Sequence, residues 1–327
     1  MRCGGTCRTG AAHHDRPTVR PVNRLGARDA LLLAVVCVAW AGNFLFSKLA
    51  LREFPPLFYT ALRLVLVVAA VSPFLKRPPA GQGLRLVAVG LSNGVLHFGL
   101  AFWGLKQSVT LASPSIVLQA YVPISALLAR ALLREPVSLG SWGAIALSFA
   151  GVLVLGFDPV VLQAPGALAL IVASAFFLAL GTVLMRELKG LDALNQQGWT
   201  AAVGIVPLLV WSAAVEPDAL ESVRSASWVA WGGLAYAALV VSLVGHGLFY
   251  VLVQRHPVAQ VTPYLLASPV LTVVLGVVLL GDRLGPRMIV GGVMVLMGVL
   301  LIALGKRAAA PAPAPSEPSS TASRRRT

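Results

Sequence analysis

Three side chains able to bind or protonate a solute fall in the middle of long apolar stretches: Arg63, His97 and His246. A guanidinium can grip a carboxylate through its planar fork. A histidine, with an ordinary pKa of about 6.5, can exchange a proton near neutrality or serve as a neutral hydrogen-bonding group. No Asp or Glu lies at comparable depth, so the buried acid that proton-driven carriers commonly use is missing, and His97 and His246 are the candidates for proton coupling. Trp40, Asn43, Asn93, Gln119, Tyr121, Tyr250 and Tyr264 complete a set of polar and aromatic groups that could contact substrate. Each has a competing structural role. Arg63 could snorkel to the interface or pair with Glu53, Lys48 reads as a snorkelling residue, and buried amides can bond neighbouring helices. Trp103, Trp211 and Trp228, near span ends, read as an interfacial belt.

Such side chains need ten apolar elements to carry them: Asp29–Leu51, Pro56–Leu75, Leu84–Leu105, Ala112–Leu133, Leu139–Phe157, Ala164–Met185, Gln197–Val215, Trp228–Val253, Val258–Leu280 and Pro286–Leu304. At about 1.5 Å per residue, roughly 20 apolar residues cross a bilayer core of about 30 Å. The second and seventh are the weakest, interrupted by Arg63 and Pro207. A chain with 57% hydrophobic and 12% charged residues, apolar all round each helix, is an all-α integral membrane protein. Of 26 Lys and Arg, Arg63 lies within a span and Lys48, Arg52, Lys106, Arg224, Arg283 and Arg287 fall on one side; the other nineteen fall with the two termini. The positive-inside rule then places both termini in the cytoplasm of a multi-pass cell-membrane protein. Basic ends beside anionic lipid account for the net charge of +14 without nucleic acid.

Residues 1–28 read as a disordered basic tail, and 305–327, rich in Ala, Pro, Ser and Arg, as a second one. Cys3, Cys7 and Cys37 make neither a disulfide framework nor a metal spacing, and His13-His14 has no nearby cysteine. HExxH, GxSxG and clustered acids are absent, so no metal, cofactor or enzymatic activity is expected.

The chain repeats itself. An offset of 147 lays Ala112–Leu155 on Ala259–Ile302, matching Leu118 with Leu265, Ala120 with Ala267, Glu135 with Asp282 and Gly151 with Gly298; an offset of 149 puts His97 on His246. Two units of five spans, 29–157 and 158–304, have an odd number of crossings each, so the second must run inverted. Pro114 and Pro123 in span 4, with Pro263 and Pro269 in span 9, are paired kinks and candidate hinges. Gly140, Gly143 and Gly151 in span 5 and Gly291, Gly292 and Gly298 in span 10 allow close helix approach, within the chain or at a homodimer face.

Several segments resemble the EamA family of the drug/metabolite transporter superfamily: Trp40-Ala-Gly-Asn43-Phe44 with Lys48, Pro55-Pro56 followed by Leu62-Arg63, and Leu111 to Ala120. So do Leu132-Leu-Arg-Glu135 and Leu279-Leu-Gly-Asp282-Arg283-Leu284. The resemblance implies ten helices in two inverted five-helix repeats around a central cavity open alternately to each side. It implies a transporter, and Leu118-Gln119-Ala120 is similar to the branch that exports amino-acid metabolites of the cysteine and O-acetylserine kind. An importer or exchanger of a sugar-like or drug-like solute is the alternative within transport; a membrane enzyme and a non-transporting sensor are the alternatives outside it.

Overall fold

The computed structural model describes residues 26–78, 80–256 and 258–308, so the expectations for the tails, Cys3, Cys7 and His13-His14 lie outside the described residues. Ten helices are long and apolar enough to cross a membrane: Ala27–Ala50, Pro56–Phe74, Gly83–Gln107, Ala112–Leu133, Leu139–Gly156, Pro165–Met185, Ala193–Val215, Trp228–Arg255, Gln260–Leu280 and Pro286–Gly305. They are numbered spans 1 to 10. No strand occurs among the described residues, as hydrocarbon demands of a chain that must satisfy its backbone within each segment. The protein is an all-α integral membrane protein.

Span 7 is longer than its apolar pattern suggests. Asp192 caps it, accepting the Asn195 N–H at 2.8 Å, so the helix starts at Ala193 rather than near Gln197, and Pro207 sits inside it without ending it. Span 2 closes with a tighter turn over Ser72–Phe74.

The backbone departs from the α ladder at matched places. Span 4 is divided into Ala112–Leu118 and Tyr121–Leu133, and at the break the Gln119 N–H bonds the Ile116 carbonyl three residues back at 3.0 Å. Pro123 has no N–H to give the Gln119 carbonyl, which frees the turn. Span 9 is interrupted at Leu266, whose N–H reaches Pro263 O at 3.4 Å, again three back and 147 residues on. Both spans also end alike: Glu135 N–H bonds Ala129 O at 3.3 Å, and Asp282 N–H bonds Gly276 O at 3.0 Å. Arg134 and Gly281 stand just before those residues with φ of 57° and 70°. Spans 3 and 8 each contain a wider π turn, Gly90–His97 and Tyr236–Gly245, that ends at or directly before one of the two histidines.

Spans 5 and 10 form the most extensive helix pair. A Cβ on Gly291 would lie 2.5 Å from the Gly151 carbonyl, and one on Gly298 2.6 Å from that of Ala144. Gly151, Gly291 and Gly298 are therefore spent inside the chain and Gly292 faces Ile116, while Gly140 and Gly143 have open space around them. Trp228 is 91% exposed, as a belt residue would be. Trp103 and Trp211, half-buried near the ends of spans 3 and 7, pair edge to face at 6.0 Å.

The two ends of the bundle are tied differently. At the face opposite the start of span 1, here the far face, carboxylates serve the orphan N–H groups of helix starts. Glu216 accepts from Leu57 and Phe58 N–H, each at 2.9 Å, at the start of span 2. Asp282 accepts from Leu111 N–H at 2.6 Å, and Asp158 from Met288 N–H at 2.9 Å. Glu53 accepts from the Ser227 hydroxyl and amide, which hold its carboxyl below the usual range. Lys48 reaches the far end of span 3, where it donates to the carbonyls of Leu105 at 2.7 Å and Ser108 at 2.5 Å. At the near face ion pairs join the ties, Glu135–Arg186 at 2.9 Å, Glu187–Arg85 at 3.5 Å and Asp29–Arg255 at 3.1 Å, beside bonds from Lys76 N–H to Asn195 Oδ1 at 2.6 Å and from Lys189 N–H to Gln82 Oε1 at 2.9 Å.

Replacing Glu216 by Ala leaves two partly buried N–H groups without an acceptor. The expected loss is about 1–2 kcal/mol, read as a lower unfolding temperature in detergent, with Glu221→Ala on the exposed helix Ala219–Ser225 as the neutral comparison. Equal unfolding temperatures for the two variants would contradict the capping role.

Candidate functional site

Arg63 lies two turns into span 2, which Pro55 and Pro56 start, and is 2% exposed. Its guanidinium carbon sits 4.4 Å from the Phe98 ring centre and 5.3 Å from that of Phe102. Nε donates to the Ala237 carbonyl at 3.2 Å and one Nη to the Ser242 hydroxyl at 3.5 Å, both in the π turn of span 8. The other Nη is buried without a partner. No carboxylate bonds the guanidinium among the described residues, and Glu53, the acid expected to pair with it, is occupied at Ser227. Snorkelling and pairing with Glu53 are both set aside by this placement.

One turn before Arg63, Tyr59 is fully buried and meets Phe102 edge to face at 5.1 Å. Its hydroxyl is 2.9 Å from Ser47 Oγ, and Ser47 donates to Asn43 Oδ1 at 3.4 Å. Because Ser47 has one proton, Tyr59 is the donor to it. The line Tyr59, Ser47, Asn43 therefore ties span 1 to the arginine-bearing face of span 2.

His97 is buried, and its ring centre lies 4.6 Å from that of Phe98, the same ring that lies against Arg63. Its Nδ1 is 2.8 Å from Ser174 Oγ, which itself donates to the His97 carbonyl at 3.0 Å. His246 is half-buried; its Nδ1 is 2.9 Å from the Val241 carbonyl, and Trp40 stacks obliquely on it at 5.5 Å.

The remaining expected residues divide. Trp40 packs between His246 and Phe249, with Nε1 buried and unpaired against Gly245. Asn93 is buried against Gly181 of span 6 with Oδ1 unpaired. Gln119 and Tyr121 flank the break in span 4 and Tyr250 lies in span 8, all half-buried. Tyr264 is 50% exposed and lends only its carbonyl, to the Cys37 thiol at 3.6 Å. A shallow crevice runs between Ser108, Pro114, Val117, Ala164 and Ile171, at the far ends of spans 3, 4 and 6. Arg63, Tyr59, Phe102 and His97 are all buried. Sequence reasoning missed Tyr59, Ser47, Ser174 and Ser242. A signal existed for two of them, since Tyr59 stands four residues before Arg63 and Ser242 four before His246, the spacing of one helix face.

The chain is similar to a protein of Escherichia coli strain K12 described as "Probable amino-acid metabolite efflux pump", at 28% identity over 291 residues, covering 86% of this chain and 97% of the relative. It is also similar to the "Uncharacterized transporter YvbV" of Bacillus subtilis strain 168, at 26% identity over 84% of this chain and 91% of that one. A solved crystal structure superposes with a TM-score of 0.56 at 16% identity, over 86% of this chain and 98% of its own, which extends the likeness to the fold. The model of the EamA-like transporter family matches residues 28–157 and again 165–304. With ten apolar helices and two matched segments spanning most of its length, the chain belongs to the EamA-like transporter family.

Proposed function

We propose that the protein exports amino acids or related metabolites, of the cysteine and O-acetylserine kind, across the cell membrane by alternating access, and that Arg63 binds their carboxylate. The observation that carries this reading is a guanidinium buried in the bundle with one Nη unpaired and no counter-ion among the described residues. An uncompensated ion costs several kcal/mol to hold out of water. A solute carboxylate would supply both the charge and the missing acceptor. The description of the Escherichia coli relative as an amino-acid metabolite efflux pump supports the class and the direction.

In this reading both termini are cytoplasmic, the near face is inside, and the two matched segments lie inverted in the bilayer. The solute meets Arg63 between aromatic walls, with Trp40, Asn43, Asn93, His97, Gln119, Tyr121, His246, Tyr250 and Tyr264 as the candidate lining when the bundle opens. The breaks at Gln119 and Leu266 lie between Pro114 and Pro123 and between Pro263 and Pro269, which are the hinge candidates. No cofactor, nucleic acid or catalytic step is part of it.

The test is efflux from cells overproducing the protein and preloaded with labelled amino acids, cysteine-pathway intermediates and their neutral carboxamides. Arg63→Lys should slow the carboxylate-bearing compounds by about tenfold or more, a loss of about 1.4 kcal/mol or greater, and leave carboxamides that the wild type moves nearly unchanged. Equal slowing of all compounds would make Arg63 a packing residue.

A further inference from the structure

The two histidines stand at matched places in the sequence repeat, and each neighbours in its span a residue that contacts Arg63. His97 precedes Phe98, whose ring lies against both the imidazole and the guanidinium. His246 is one turn beyond Ser242, which accepts from Arg63, so Ser242 and His246 share a face of span 8. The partners of each Nδ1 decide where its proton is. The Val241 carbonyl can only accept, so His246 Nδ1 carries hydrogen. Ser174 spends its single proton on the His97 carbonyl, so its oxygen can only accept from His97 Nδ1. No carboxylate bonds either ring among the described residues, as would be needed to hold an imidazolium in hydrocarbon.

We propose that His97 and His246 are neutral Nδ1–H tautomers whose Nε2 lone pairs receive the ammonium group of a zwitterionic solute, with Trp40 as the aromatic wall beside His246. This rests on the reading of Arg63 as the seat of the carboxylate, and it deepens it: the site accepts the two charges of an α-amino acid separately, a fixed cation for one and two uncharged acceptors for the other. The histidines are then specificity residues for the amino group and carry no transported proton. Trp40 lies beside His246, ring centres 5.5 Å apart, which is why it is assigned as the aromatic wall.

The experiment measures binding to the purified full-length protein in detergent. The probes are the common amino acids and O-acetylserine, each matched with the same acid lacking its amino group. His97→Leu and His246→Leu should each weaken binding of the amino acid by roughly tenfold, the cost of an unpaired ammonium, and leave the des-amino acid within about twofold of wild type. His97→Gln and His246→Gln, which restore an uncharged acceptor, should recover most of the loss. Parallel losses for both members of each pair, or Gln variants as weak as Leu variants, would overturn the proposal. Wild-type protein that binds the des-amino acids as tightly as the amino acids would overturn this inference alone. Wild-type protein that binds neither would overturn the Arg63 reading together with it.

Discussion

A guanidinium buried in an apolar bundle without a carboxylate is the constraint around which the rest of this protein is arranged. Arg63 cannot be neutralised by losing its proton as a lysine could, so its surroundings must offer dipoles and ring faces instead. The π turn of span 8 supplies a carbonyl and a hydroxyl, and spans 2 and 3 supply Tyr59, Phe98 and Phe102. The Ala237 carbonyl in that turn accepts from Arg63 Nε at 3.2 Å and from Ser242 Oγ at 3.3 Å. In the proposed reading the unpaired Nη is what remains for a ligand.

The same economy separates the two faces. On the far face three carboxylates, Glu53, Glu216 and Asp282, bridge the two matched segments through backbone N–H groups, and Lys48 holds the end of span 3. On the near face ion pairs, which contribute about 0–1 kcal/mol each where exposed and weaken with salt, stand beside bonds to backbone such as Lys76 N–H to Asn195 Oδ1 at 2.6 Å and Lys189 N–H to Gln82 Oε1 at 2.9 Å. Charge-assisted bonds to orphan backbone donors are the stronger of the two kinds.

Much of this was legible in the chain. Ten apolar stretches, Arg63 too deep for a loop, and the offset of 147 residues follow from residue type and spacing, and the last recurs in backbone hydrogen bonds at Gln119 and Leu266 and in the left-handed residues Arg134 and Gly281. What escaped was anything carried by a small hydroxyl. Ser47 and Ser174 gave no periodic signal, serine being common in membrane helices, and Ser242 was marked only by standing four residues before His246. The neighbours of Lys48 and of the glycines of spans 5 and 10 stayed open for a related reason: a cation near a helix end has lipid, a carbonyl or an acid as alternatives, and a small residue has an internal or an external neighbour. Only the packing decides between them.

The central claim is that a solute carboxylate completes the coordination of Arg63. The most direct measurement is solid-state NMR on the protein in lipid bilayers, with arginine side chains labelled with nitrogen-15 and a bound amino acid labelled with carbon-13 at its carboxylate. The account predicts a short carbon–nitrogen dipolar contact, at salt-bridge range, that disappears in Arg63→Lys although the variant is folded. Bound solute with no such contact in the wild-type protein would contradict it.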